Sequence, residues 1–169
     1  MTGKVAPAEE ERQRAAIGRN AEYYLGRWRE MEAKSSAISW NWPACLVNLF
    51  WFAYRKMWLP MAATLLALVA LSLVGAAVGS GQIAFLLTIG LSFVTGGFGN
   101  FLYRRRISRL VADTSALPIA AQLEALRSRG GVSITAAAIL LLLFGSLALM
   151  AVASAVSEQS RLEKTNEPA

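Results

Sequence analysis

Polarity divides this chain before anything else does. A polar opening gives way to three long stretches without charge, and short charged segments separate them. From Asn20 onward, Ala21, Tyr24, Leu25, Trp28 and Met31 recur at helical spacing and line one stripe; Arg27, Arg29, Glu30 and Lys34 fall mostly off it. This pattern predicts an amphipathic helix over 21–34. Asn20 is placed to cap it through its side-chain oxygen, and Glu22 suits its positive end. The stripe can pack on the protein's own membrane-facing part, or it can meet lipid or a partner. Before it, residues 1–16 are polar and Ala-rich, with Glu9, Glu10 and Glu11, and the first several are expected to be mobile.

Ser39–Trp58, SWNWPACLVNLFWFAYRKMW, holds four of the five tryptophans, and its only charges are Arg55 and Lys56. Asn41 is a plausible cap, and Pro43 is tolerated in a first helical turn, where the amide it lacks is unpaired anyway. From Trp42 to Tyr54 the run is almost wholly apolar but short. Thirteen residues rise roughly 20 Å as a helix, less than the ~30 Å hydrocarbon core. An interfacial or re-entrant helix fits, with tryptophans at headgroup depth. Asn41, Asn48 and Arg55 recur every seven residues and share one narrow face. Arg55 and Lys56 are expected to reach lipid phosphates.

Lys56 and Arg104 are separated by 47 uncharged residues. As one helix they would measure about 70 Å, over twice the hydrocarbon thickness. The stretch therefore folds back, and Gly79-Ser80-Gly81-Gln82 is the turn. Two spans result, 58–78 and 82–103, opened by Trp58 and Pro60 and closed by Tyr103. Residues 104–131 form a connector with a short helix starting near Pro118. Ile119, Leu123 and Leu126 lie on one side of it, and Gly130-Gly131 ends it as a left-handed cap. After Arg129 another 28 uncharged residues supply a third span, 132–154. The predicted fold is an all-α integral membrane bundle. Three transmembrane helices occupy 58–156, after an N-terminal region (1–38) and an interfacial or re-entrant aromatic helix (39–57). Short amphipathic helices flank them, and 157–169 is a C-terminal tail.

Composition agrees: 17% of residues are charged, against roughly 25% in typical globular proteins. Residues 1–57 carry nine Lys/Arg against six Glu, and residues 103–129 carry six Arg against Asp113 and Glu124. Positive charge that borders apolar runs is a topology signal rather than a nucleic-acid footprint. It places the N-terminus and the 104–131 connector in the cytoplasm and the C-terminus outside. The first forty residues carry no apolar stretch of signal-peptide type.

Candidate chemistry is sparse. There is no histidine and one cysteine, Cys45, which suits a buried inert thiol. No nucleophile elbow, phosphate-binding loop or metal-ligand spacing occurs, so no enzymatic activity, cofactor or metal is expected. The spans contain no charged residue, which argues against an ion-coupled pump. Gly75 and Gly79 make a G-x-x-x-G on the first span, a candidate packing face. Asn100, beside Gly96, Gly97 and Gly99, is the polar residue within the second span singled out for packing. An amide there can bond across helices where glycines let a backbone approach. Candidate lipid contacts are Trp40, Trp42, Trp51, Arg55, Lys56, Trp58, Arg104, Arg105 and Arg106. Basic residues near an anionic leaflet contribute about 1 kcal/mol each.

The segments N-A-E-Y-Y-L at 20–25, N-W-P-A at 41–44, Y-R-K-M-W at 54–58, F-G-N-F-L-Y at 98–103 and G-G-V-S at 130–133 together resemble a family of small bacterial membrane proteins, domain of unknown function 2628. Pro43, Cys45-Leu46 and Val132 depart from its usual residues. The resemblance implies a bacterial inner-membrane protein and no particular activity. The expected role is a non-catalytic interaction or scaffold protein; the alternative is a subunit of a small oligomeric transporter or channel, with Asn48, Arg55 and Asn100 along its path. Expected partners are the bilayer with its anionic phospholipids, and a further copy or another membrane protein. Cysteine labelling is expected to report Ser80 and Ala169 on the outer side and Ala116 on the inner side. Labelling of Ala169 from the cytoplasm would overturn the count of three spans.

Overall fold

The computed structural model describes residues 7–165. The expected mobility of the first several residues falls mainly outside it, as does the end of the C-terminal tail. Among the described residues there are eight helices and no strand: α1 (Pro7–Ile17), α2 (Ala21–Ala33), α3 (Trp42–Leu46), α4 (Asn48–Tyr54), α5 (Trp58–Ala77), α6 (Gly81–Asp113), α7 (Ile119–Arg129) and α8 (Ile134–Thr165). Three helical stretches, containing α5, α6 and α8, are long and apolar enough to cross a membrane.

Several boundaries differ from the sequence expectation, each for a physical reason. The polar N-terminal region is helical from Pro7. Its face ends in Ala16 and Ile17, both fully buried, and Arg14 pairs with Glu10 and Glu22. The Arg14 guanidinium, 2.6 Å away, holds the Glu10 carboxyl below its ordinary range. Asn20 precedes α2 in a left-handed conformation (φ 66°) and makes no side-chain cap bond. A short polar side chain tolerates that conformation better than most. The run expected as one helix over 42–54 breaks at Val47 into α3 and α4, so Asn41, Asn48 and Arg55 share no continuous helical face. Helix α6 runs unbroken through the arginine run to Asp113, ten residues past the expected end of its span. Charge ends a membrane span but does not end a helix, because arginine is a good helix former. Helix α8 likewise continues to Thr165.

The core lies at one end of the bundle. It joins Ile17 of α1, the α2 stripe Tyr24–Leu25–Trp28–Met31, Trp51 and Phe52 of α4, Met57, Tyr103 and Ile107 of α6, and Leu126 of α7. The amphipathic helix thus spends its apolar face on this protein's own α6. The far parts of α5, α6 and α8 are thinly packed. Leu66, Leu73, Phe85, Leu86, Leu142 and Leu149 are each at least 64% exposed. So large a contiguous apolar surface suits lipid as its solvent.

Glycine sets how closely three of these elements meet. A Cβ on Gly96 would lie 2.7 Å from the Cβ of Cys45, and one on Gly99 would lie 2.7 Å from that of Ala44. Both distances are too short for real carbons, so α3 rests directly on the α6 backbone. Gly130 is held the same way, because a Cβ there would meet the Ala16 carbonyl oxygen at 2.1 Å. The left-handed residue after α7 is Gly131 (φ 66°), while Gly130 has a negative φ. Gly99→Leu is therefore expected to lever α3 off α6 and lower stability by about 1–3 kcal/mol. Gly97→Ala, whose Cβ finds its nearest neighbour at 3.9 Å, is expected to leave stability unchanged. Thermal unfolding of both variants in detergent checks the contrast.

Candidate functional site

Residues 37–41 are not helical, and they lie against a helix. Irregular backbone at membrane depth is tolerated only where protein satisfies its polar groups. Here α6 does so. The Ser39 amide donates to the Gly97 carbonyl and the Asn41 amide to the Gly96 carbonyl, both at 2.9 Å. The glycines leave those carbonyls uncovered. Asn100, fully buried, completes the task. Its Nδ2 lies within bonding distance of the Ser39 hydroxyl (3.0 Å) and of the Ser39 and Trp40 carbonyls (3.3 Å each). Its Oδ1 accepts from Asn41 Nδ2 at 2.8 Å. Asn41 Oδ1 in turn accepts from the Ala44 amide at 3.0 Å and caps α3. Thr95 Oγ1 donates to the Ala44 carbonyl, and Trp28 Nε1 donates to the Asn100 carbonyl. Of the polar groups in this seam, the Trp40 indole Nε1 is enclosed without an acceptor.

One turn along α6, Arg55 is 1% exposed. Its guanidinium carbon lies 4.5 Å from the Tyr24 ring centre, 5.0 Å from Tyr103 and 5.4 Å from Tyr54. Its Nη1 donates to the Arg19 carbonyl (3.2 Å), the Tyr103 hydroxyl (3.3 Å) and the Ile17 carbonyl (3.5 Å). No carboxylate among the described residues pairs with it, and its Nε is enclosed without an acceptor. A guanidinium is weakly hydrated and stacks on aromatic faces, so ring quadrupoles and carbonyls can hold it where an ammonium would fare worse. Tyr103 is the hub: Tyr24, Trp28 and Trp51 all pack on it, with ring centres 4.8, 5.9 and 6.1 Å away.

Arg55 is therefore sealed off from lipid phosphates, contrary to the sequence expectation. Lys56 is half-buried, and its Nζ donates to the Ser128 carbonyl. Trp51 is core, Trp40 is half-buried against Phe93, and Trp42 and Trp58 are exposed. Arg104 pairs with Glu32 of α2. Arg105 is exposed, and Arg106 donates to the Arg129 carbonyl. Gly75 meets Ala84 across the α5–α6 hairpin. Gly79 lies beyond α5 in a left-handed turn (φ 65°), so the two glycines form no common helical face. Cys45 is buried.

Sequence reasoning missed the partners of Arg55, namely Tyr24, Tyr54 and Tyr103. The signal was present: a cation in an aromatic run with no acid nearby needs rings to hold it. Which rings could not be read, because Tyr103 is 48 residues away.

A family model described as Protein of unknown function (DUF2628) matches residues 9–109. The comparisons with curated proteins and with solved structures return no match.

Arg55→Lys is expected to keep the charge yet lose the planar stacking, loosening α1 and α2 from α6. The expected cost is about 2 kcal/mol, read as a lower melting temperature and faster proteolysis within residues 7–33.

Proposed function

Since the chain belongs to the DUF2628 family, whose description states no activity, we propose that its role is non-catalytic: a membrane-embedded interaction or scaffold protein. It sits in a bacterial inner membrane, with α1, α2 and α7 on the cytoplasmic face. The observation that carries this reading is how the buried polar residues are used. Asn41, Asn100 and Arg55 are each engaged by their own chain, so they hold backbone in place instead of lining a path. The positive-inside rule supports the orientation, because Arg104, Arg105, Arg106 and Arg109 all lie past Tyr103.

In this reading the spans anchor, and the projecting end of α6 carries a helical cap. Burial of the α2 stripe leaves its polar side, with Lys34, facing outward, and Glu124 of α7 is also exposed. Those surfaces are what a partner would meet: another membrane protein or a further copy of the chain. The runner-up, an oligomeric transporter or channel subunit, would need Asn48, Arg55 and Asn100 to contact solute; Asn48 is half-buried and its Oδ1 accepts from the Leu49 amide.

Two measurements separate these readings. Photo-crosslinkers at Lys34 and Glu124 in native membranes are expected to yield discrete protein adducts; adducts to lipid alone would count against the reading. Purified protein in liposomes is expected to pass no solute. Flux that Asn100→Leu abolishes without loss of fold would replace scaffolding by transport.

A further inference from the structure

Where α5 begins and α6 leaves its apolar stretch, a groove of about 470 Å³ lies between them. Its lining is ordered along α6. Leu102, Arg106, Arg109 and Asp113 follow one another at helical spacing on a single face, with Arg105 beside them and Leu59 of α5 opposite. At the end nearer the span the walls are apolar, and Leu59 is 76% exposed. One to two turns further along α6 the groove is cationic, with Arg105, Arg106, Arg109 and Lys56 against the single carboxylate of Asp113.

These cations are not used up internally. Arg104 pairs with Glu32, but Arg105, Arg106 and Arg109 form no ion pair among the described residues. Arg106 uses Nη2 to donate to the Arg129 carbonyl at 3.0 Å, and its Nη1 is enclosed without any acceptor. That enclosed atom is closed to the groove as well, so the exposed Arg105 and Arg109 supply the charge that an anion would meet first.

We propose that this groove binds one anionic phospholipid: the phosphodiester between Arg105, Arg106 and Arg109, and the acyl chains running back along Leu59 and Leu102. Charge selects a phosphate. The apolar end selects a lipid over free phosphate, because it opens onto the exposed apolar surface of α5 and α6. The volume lies within the 300–1,000 Å³ typical of small-ligand sites. Basic pockets between spanning helices on the cytoplasmic side are suited to such headgroups. The proposal rests on the membrane reading above, and adds to it a defined site with one occupant.

The test is native mass spectrometry of the full chain in detergent, titrated with phosphatidylglycerol or phosphatidylcholine. One phosphatidylglycerol is expected to be retained in preference to phosphatidylcholine. The double variant Arg105→Gln/Arg109→Gln changes two exposed side chains and is expected to weaken that retention roughly 30-fold. Arg27→Gln/Arg127→Gln removes the same charge elsewhere and is expected to leave it unchanged. Equal retention of both lipids by the wild type, or equal loss in both variants, would overturn the site in favour of diffuse attraction. Competition by the water-soluble glycerophosphoglycerol headgroup as effective as by the whole lipid would overturn the lipid assignment. Failure of the membrane reading would appear separately, as monodisperse protein recovered from detergent-free lysate.

Discussion

A guanidinium shut away from water between tyrosine rings joins the two halves of this molecule. Arg55 follows α4, its rings come from α2, α4 and α6, and its carbonyl acceptors belong to the α1–α2 turn. Burying a charge is unfavourable unless it is paired or well hydrogen-bonded. Without a carboxylate, this one depends on every ring and carbonyl being in place. That requirement fixes where α1 and α2 sit relative to the apolar helices. It also accounts for the aromatic density around Tyr103, ten residues before the end of α6.

A second constraint acts one turn away. The chain must pass from α2 to α3 through non-helical residues, and their amides and carbonyls need partners. Glycines at 96, 97 and 99 expose the α6 backbone, and Asn100 supplies a donor and an acceptor on the same face. Small residues and an amide are interdependent here. Glycine without the amide would leave the carbonyls of Ser39 and Trp40 unmet, and the amide without glycine could not be approached. The result is a tightly determined foot beneath helices whose outer apolar faces are bare, although α5 and α6 meet closely at Gly75 and Ala84. Only Thr64 and Gly75 are buried in α5, and the apolar stretch of α8 is not buried at all. Lipid or a neighbouring protein completes what the chain leaves bare.

The number and apolar character of the three long elements were legible from sequence, because a run of twenty uncharged apolar residues has few alternatives in any solvent; α1 and the division of 42–54 into two helices were not. Asn41 as a cap and Gly79–Gln82 as a turn were legible for the same local reason: each depends on atoms within four residues. The break at Val47 and the continuation of α6 to Asp113 were not. The first serves packing of α3 on α6 and α4 on α8. The second reflects helix propensity in arginines, whose charge ends a span without ending a helix.

What the sequence determined by itself is the solvent each segment prefers and the local chemistry of its ends. What only the tertiary structure decided is the use of the polar residues. Arg55 could have reached outward to phosphate or inward to rings, and the sequence reads the same in either case. The choice turned on Tyr24 and Tyr103, brought together from residues far apart in the chain, and no local pattern encodes a contact between distant rings and a cation.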